Sequence, residues 1–166
     1  MSPATSVLLD LLRIGAALVV FLAHSTNYWD PSLTGPMQGA GHAAVIVFFV
    51  LSGYVIAHTA REGPRDGRAF VAARLARLYS VVVPALVLTV LLWPLGRDLD
   101  PGFYDHYSRH GAGWRHLLSL FFLNEVWFWD ACPPGNEVFW SLGYEALYYL
   151  LFGLFWYVRP TRRRVL

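Results

Sequence analysis

The sequence predicts an all-α integral-membrane helical bundle, with about four transmembrane helices and one further re-entrant or interfacial helix. Three observations carry this. Of 166 residues, 56% are hydrophobic and only 14% are charged, where a soluble domain is roughly 25% charged. The mean hydropathy of +0.42 implies more apolar surface than one core of this length can hide. The charges are also unevenly spread, which leaves windows long enough for spanning helices of about 20 residues.

The elements follow in order from those windows. Val7 to Ala23 is apolar except for Asp10 and Arg13 near its start, and no basic segment precedes it, so it reads as a retained helix and not as a signal peptide. Pro31 to Ala60 and Leu78 to Gly96 carry no formal charge, and Val138 to Val158 carries only Glu145. The expected spans are residues 7–24, 41–60, 78–96 and 138–158 of a single domain, 1–166. Leu117 to Trp129 is apolar but too short to cross, so residues 117–129 are expected to be re-entrant or interfacial. Tyr104, Tyr107, Trp114, Trp127, Trp129 and Trp140 read as interfacial anchors, compatible with a pocket wall. Pro133, Pro134 and Gly135 interrupt any helix before the last span.

Charge sets the expected orientation. All thirteen basic residues are arginines, against eleven acids, for a net charge of +2, which is too small an excess for a nucleic-acid partner. Arg61, Arg65, Arg68, Arg74 and Arg77 fill the connection after the second span, and Arg159, Arg162, Arg163 and Arg164 follow the last. The positive-inside rule therefore puts the N-terminus in the cytoplasm, with residues 97–137 as a long outer loop. The arginine-only, alanine-rich composition points to a GC-rich bacterial genome, so the expected location is the bacterial cytoplasmic membrane. A single cysteine, Cys132, excludes an intrachain disulfide and any multi-cysteine metal site.

Ionisable residues inside spans mark function by default, because each costs a few kcal/mol at a helix centre. Arg13, His24 and Glu145 qualify. Arg13 and His24 are eleven residues apart, ~16 Å along a helix and only about 20° from the same azimuth. Asp10 lies three before Arg13, the spacing at which helical side chains pair. The structural alternative is an Arg13 that snorkels beside Asp10 and a His24 that simply ends its helix. Glu145 lies ~10 Å below the outer end of its span and needs a histidine, an arginine or a hydrogen-bond donor from elsewhere to stay charged. His42 and His58 suit the two interfaces. His106 and His110 have a four-residue gap that invites a zinc reading, but their segment lacks helical periodicity and no metal site is expected.

These positions coincide with a known pattern. Leu9 to Ala17 with His24 resembles the arginine, ten residues, histidine signature of the acyltransferase-3 family of integral-membrane O-acyltransferases. Phe48-Phe49-Val50-Leu51-Ser52-Gly53-Tyr54-Val55-Ile56 is similar to its second-span block, and Phe70 to Leu78, with Arg74 and Arg77, to its basic connection. Trp140-Ser141-Leu142-Gly143-Tyr144-Glu145 resembles its tryptophan-serine-leucine-glutamate block, with Ala146 where a second glutamate is common. The likeness runs from Val7 to about Tyr157 and corresponds to the N-terminal half of a domain that usually has more spans.

The resemblance implies transfer of an acyl group, by default acetyl, from acyl-coenzyme A to a hydroxyl of a carbohydrate, lipid-linked sugar or macrolide, with no resident cofactor. His24 would deprotonate the acceptor or carry the acyl group transiently. Glu145 would stabilise its imidazolium, and Arg13 would contact the donor. Arg74 and Arg77 would bind donor phosphates. Asp10, Ser52, Gly53, Trp140 and Ser141 would shape the pocket. Two other classes remain open: a non-catalytic membrane fragment or assembly partner, and a transporter, although no broken-helix pair repeats between halves.

Overall fold

Hydrocarbon offers the backbone no hydrogen-bond partner, so apolar runs of this length fold as helices. The computed structural model describes residues 2–29, 32, 34–63, 66–102, 104, 111–126 and 129–158. Its main elements are α1 (Pro3–Trp29), α2 (Thr34–Glu62), α3 (Gly67–Leu99), α4 (Ala112–Leu120), β1 (Glu125–Val126), β2 (Trp129–Asp130) and α5 (Trp140–Gly153). A single 3₁₀ turn (Glu137–Phe139) leads into α5 and a π turn (Leu154–Val158) extends it. Among the described residues, four helical segments are long and apolar enough to cross a membrane: Pro3–Thr26, Gly35–Glu62, Gly67–Leu99 and Glu137–Val158. The chain divides into two units, Met1–Arg65 and Asp66–Leu166.

In the first unit α1 and α2 form an antiparallel hairpin. Leu9, Ala16 and Ala23, each seven residues apart, are the buried positions of α1, and Ala44, Leu51, Ser52, Ile56 and Ala60 are their counterparts on α2. A seven-residue repeat keeps one narrow stripe facing the partner helix. Small residues let the backbones approach: a Cβ built on Gly41 would stand 2.8 Å from the Cβ of Ala23. Gly53 has no atom within 4 Å of such a Cβ, so its side faces open space.

In the second unit, Asp66 caps α3 by accepting from the backbone N–H groups of Arg68 and Ala69, at 2.9 and 3.2 Å. The helix thus begins at Gly67, and the arginine-bearing connection is continuous with the apolar run that starts at Leu78. Phe70, Arg74, Leu78, Val82 and Leu86 recur every four residues and form one ridge. Against it, α5 runs antiparallel. Gly67 lies beside Tyr157, Phe70 beside Phe152, and Val82 and Leu86 pack with Phe139 and Cys132.

The segment between α3 and α5 doubles back along α3. The Tyr79 hydroxyl donates to the Leu120 carbonyl at 3.2 Å, so the end of α4 lies level with Tyr79. Asn136 donates to the Thr89 hydroxyl at 3.0 Å, ten residues or ~15 Å further along the same helix. The excursion is closed by the antiparallel pairs Glu125 with Asp130 and Val126 with Trp129. Asn124, fully buried there, donates through Nδ2 to the Phe139 carbonyl at 3.2 Å and so ties the hairpin to the start of α5.

The Ala23–Gly41 contact provides a test of the first unit. Gly41→Ala is expected to destabilise the hairpin by about 1–3 kcal/mol through overpacking, read from thermal unfolding in detergent. Adding Ala23→Gly should return most of the loss, less the helix-propensity cost of about 1 kcal/mol. An unchanged melting temperature in Gly41→Ala would contradict the close crossing.

Candidate functional site

Three of the residues singled out from sequence meet on the seam between α3 and α5. Arg77 Nη2 lies 3.2 Å from Glu145 Oε1. The Tyr149 hydroxyl, one turn along α5, donates to the same oxygen. Arg74, one turn back from Arg77, stands over the rings of Phe70 and Tyr149, 5.7 Å from each centroid. The Glu145 side chain keeps 17% of its exposure and that of Arg77 47%, so the carboxylate is the enclosed partner and the cation the more open one. Two arginines against one carboxylate leave an excess positive charge at this point of the seam.

This geometry changes the depth expected for Glu145. The sequence places Glu145 near the outer end of its span and Arg77 at the inner end of another, whereas the structure puts them in contact. The cause is the folded-back segment 112–136. It fills the space beside α3 from Tyr79 to Thr89, so α5 begins opposite Val82 and Leu86, and its sixth residue falls beside Arg77. Tyr149 is the side chain at this ion pair that sequence reasoning missed. Its signal was present, since it lies four residues after Glu145 and shares its helix face.

His24, Arg13 and Asp10 belong to the first unit, and Glu145, Arg74 and Arg77 to the second. Arg13 Nη1 pairs with Asp10 Oδ1 at 3.4 Å. His24 Nδ1 lies 2.7 Å from the Val20 carbonyl. A carbonyl only accepts, so Nδ1 carries the proton, and in the neutral ring Nε2 keeps its lone pair. Measured from the buried stripe of Leu9, Ala16 and Ala23, Arg13, His24 and Asp10 all project to one side, within ~60° of one another. Ser52 is buried on α2, Trp140 meets Tyr144 edge-on at 5.9 Å, and Ser141 donates to the Val138 carbonyl within its own turn at 3.1 Å. Arg65, His106, Tyr107, His110, Trp127, Arg159 and Arg162–Arg164 lie outside the described residues.

The pattern of residues on these helices has counterparts in known proteins. The family model for the acyltransferase domain matches residues 7–166. The chain belongs to this family. It is 32% identical to the acyltransferase MdmB of Streptomyces mycarofaciens, over 92% of this chain and 40% of that protein. It is 30% identical to an O-acetyl transferase of Shigella phage Sf6, over 87% of this chain and 44% of that one, and 34% identical to protein 2 in the picA locus of Rhizobium radiobacter, over 60% and 59%. The chain thus spans less than half the length of the first two relatives. No solved structure matches it.

A second polar cluster in this family member lies in the folded-back hairpin. The Glu125 and Asp130 carboxylates and the Cys132 thiol come within 4.8 Å of one another. Burial pushes the Cys132 thiol up to about 11, with Glu125 and Asp130 adding to the rise and the Asn124 amide opposing it. Burial, and then the facing Asp130, also raise the Glu125 carboxyl above its ordinary 4.5. A carboxyl raised on folding takes up its proton more readily in the native state, so it weakens the fold progressively as pH rises through 4.5, in full above the raised value, and has no effect well below 4.5. Glu125→Gln is therefore expected to raise the melting temperature at neutral pH, with the gain vanishing near about pH 3. The same gain at both pH values would contradict the assignment.

Proposed function

We propose that the protein takes part in membrane-bound O-acyl transfer. It would move an acetyl group from acetyl-coenzyme A to a hydroxyl of a carbohydrate, lipid-linked sugar or macrolide. The observation that carries the reading is the match of the acyltransferase-domain model along nearly the whole chain. The names of the relatives, an acyltransferase and an O-acetyl transferase, favour oxygen as the acceptor atom. The arginines of α3 favour a cytoplasmic location for that end of the helix and a bacterial inner membrane with the N-terminus inside.

The chemistry needs a base, and His24 suits it. With Nδ1–H engaged by Val20, Nε2 is the free basic atom. It takes the proton as the acceptor hydroxyl attacks the thioester carbonyl. The acyl–oxygen bond forms, the acyl–sulfur bond breaks, and the proton passes to the departing thiolate. Arg13, on the same side of α1, is suited to an anionic part of the donor, and Arg74 and Arg77 to its phosphates through charge-assisted hydrogen bonds. Glu145 holds Arg77 in place in this scheme, and by that contact competes with a phosphate for it.

Membranes containing the protein, incubated with radiolabelled acetyl-coenzyme A and candidate glycans or macrolides, test the reading directly. Label is expected to appear in the acceptor, and His24→Ala should lower transfer by at least ~100-fold, the usual scale of a lost general base, with membrane insertion unchanged. Transfer that persists in His24→Ala would remove the histidine from the mechanism.

A further inference from the structure

We propose that Tyr149 is a positioning residue that holds Glu145 on Arg77, leaving Arg74 uncompensated as a standing site for a phosphate-type anion. Arg74 and Arg77 are three residues apart on α3, so their head groups are neighbours, and the one carboxylate of this part of the seam meets Arg77. The phenol decides which cation it serves. Its hydroxyl donates to Glu145 Oε1, the oxygen that also meets Arg77 at 3.2 Å. Its ring meanwhile occupies the face of Arg74, 5.7 Å from the guanidinium carbon. Tyr149 is buried, so neither contact is loosened by exchange with solvent.

The consequence for Arg74 follows from what an aromatic face supplies. A ring attracts a cation by its quadrupole but offers no hydrogen-bond acceptor at the guanidinium edge. Consistent with this, Arg74 Nε is buried and has no acceptor among the described residues. A guanidinium seated on rings, with edge donors unspent, matches the planar, multidentate geometry that phosphate oxygens accept. Without the phenol hydroxyl, Glu145 is free to turn one helical turn toward Arg74 and neutralise it. Identifying the anion as part of coenzyme A rests on the donor reading above, but the role of Tyr149 does not.

The test uses the full chain in nanodiscs of zwitterionic phosphatidylcholine, with equilibrium binding of inorganic pyrophosphate and of coenzyme A. Arg74→Ala is expected to weaken pyrophosphate binding by about 10-fold, on the scale of a contact to a charged group. Tyr149→Phe keeps the ring and loses the hydroxyl, and should weaken binding by about 3-fold or more. Adding Glu145→Gln to Tyr149→Phe should restore wild-type affinity, because no carboxylate remains to turn onto Arg74. A merely structural tyrosine would show no such rescue.

Wild-type affinity in Tyr149→Phe, failure of Glu145→Gln to restore it, or no anion binding by the wild type would each overturn the proposal. Pyrophosphate binding with this variant pattern, but none for coenzyme A, would uphold Tyr149 and reject the donor reading. Repeating the titration in discs containing phosphatidylglycerol identifies the source: competition by the lipid assigns the site to a headgroup, and its absence to a soluble phosphate.

Discussion

The ion pair between Arg77 and Glu145 is the constraint on which the second unit turns. A carboxylate on a helix with no other charged residue has no cheap environment, and removing an ion from water costs several kcal/mol unless a partner is at hand. The partner comes from a different helix, so α3 and α5 must meet in one register. That register brings Phe70 onto Phe152, Gly67 onto Tyr157 and Val82 near Phe139. Apolar packing tolerates small slips because its forces have no direction. A two-point contact on one carboxylate oxygen does not.

The folded-back segment makes this register possible. It occupies about 15 Å of α3 beyond Tyr79 and is tied at both levels by hydrogen bonds, from Tyr79 to Leu120 and from Asn136 to Thr89. A helix entering directly from the end of α3 would have met it farther from the arginines. Beginning at the Val82–Leu86 level, α5 delivers Glu145 and Tyr149 to the charged first turns. Gly143, one turn into α5, is the point where Asn124, Glu125 and the Phe122 carbonyl all come within 3.6 Å of a Cβ position, so the hairpin and the helix are close-packed there.

What could be read from sequence divides along the same line. The four helices were legible because hydropathy over a window is local, and the Asp10–Arg13 pair because both residues share one helix three positions apart. The contact of Arg77 with Glu145 was not, since it depends on how deeply residues 112–136 fold back, and no short-range pattern encodes that depth. Arg74 carried an unused clue: it stands on the four-residue ridge of Leu78, Val82 and Leu86 and so had to face another helix. Tyr149 was overlooked because it is one of nine tyrosines, a residue type that membrane proteins place at interfaces for reasons unrelated to catalysis. The Glu125–Asp130 pairing was hidden for a further reason: opposition across a two-residue ladder follows from its register, and like charges there run against the usual preference.

The stripe of Leu9, Ala16 and Ala23 on α1, met by Gly41 and Ala44 on α2, closes with contacts made wholly inside residues 3–62. Such a hairpin involves only short sequence separations, the kind that form fastest. During synthesis these two helices can zip together before Glu145 and Tyr149 have been added to the chain. The charged seam of α3 and α5 is then built later, within its own unit.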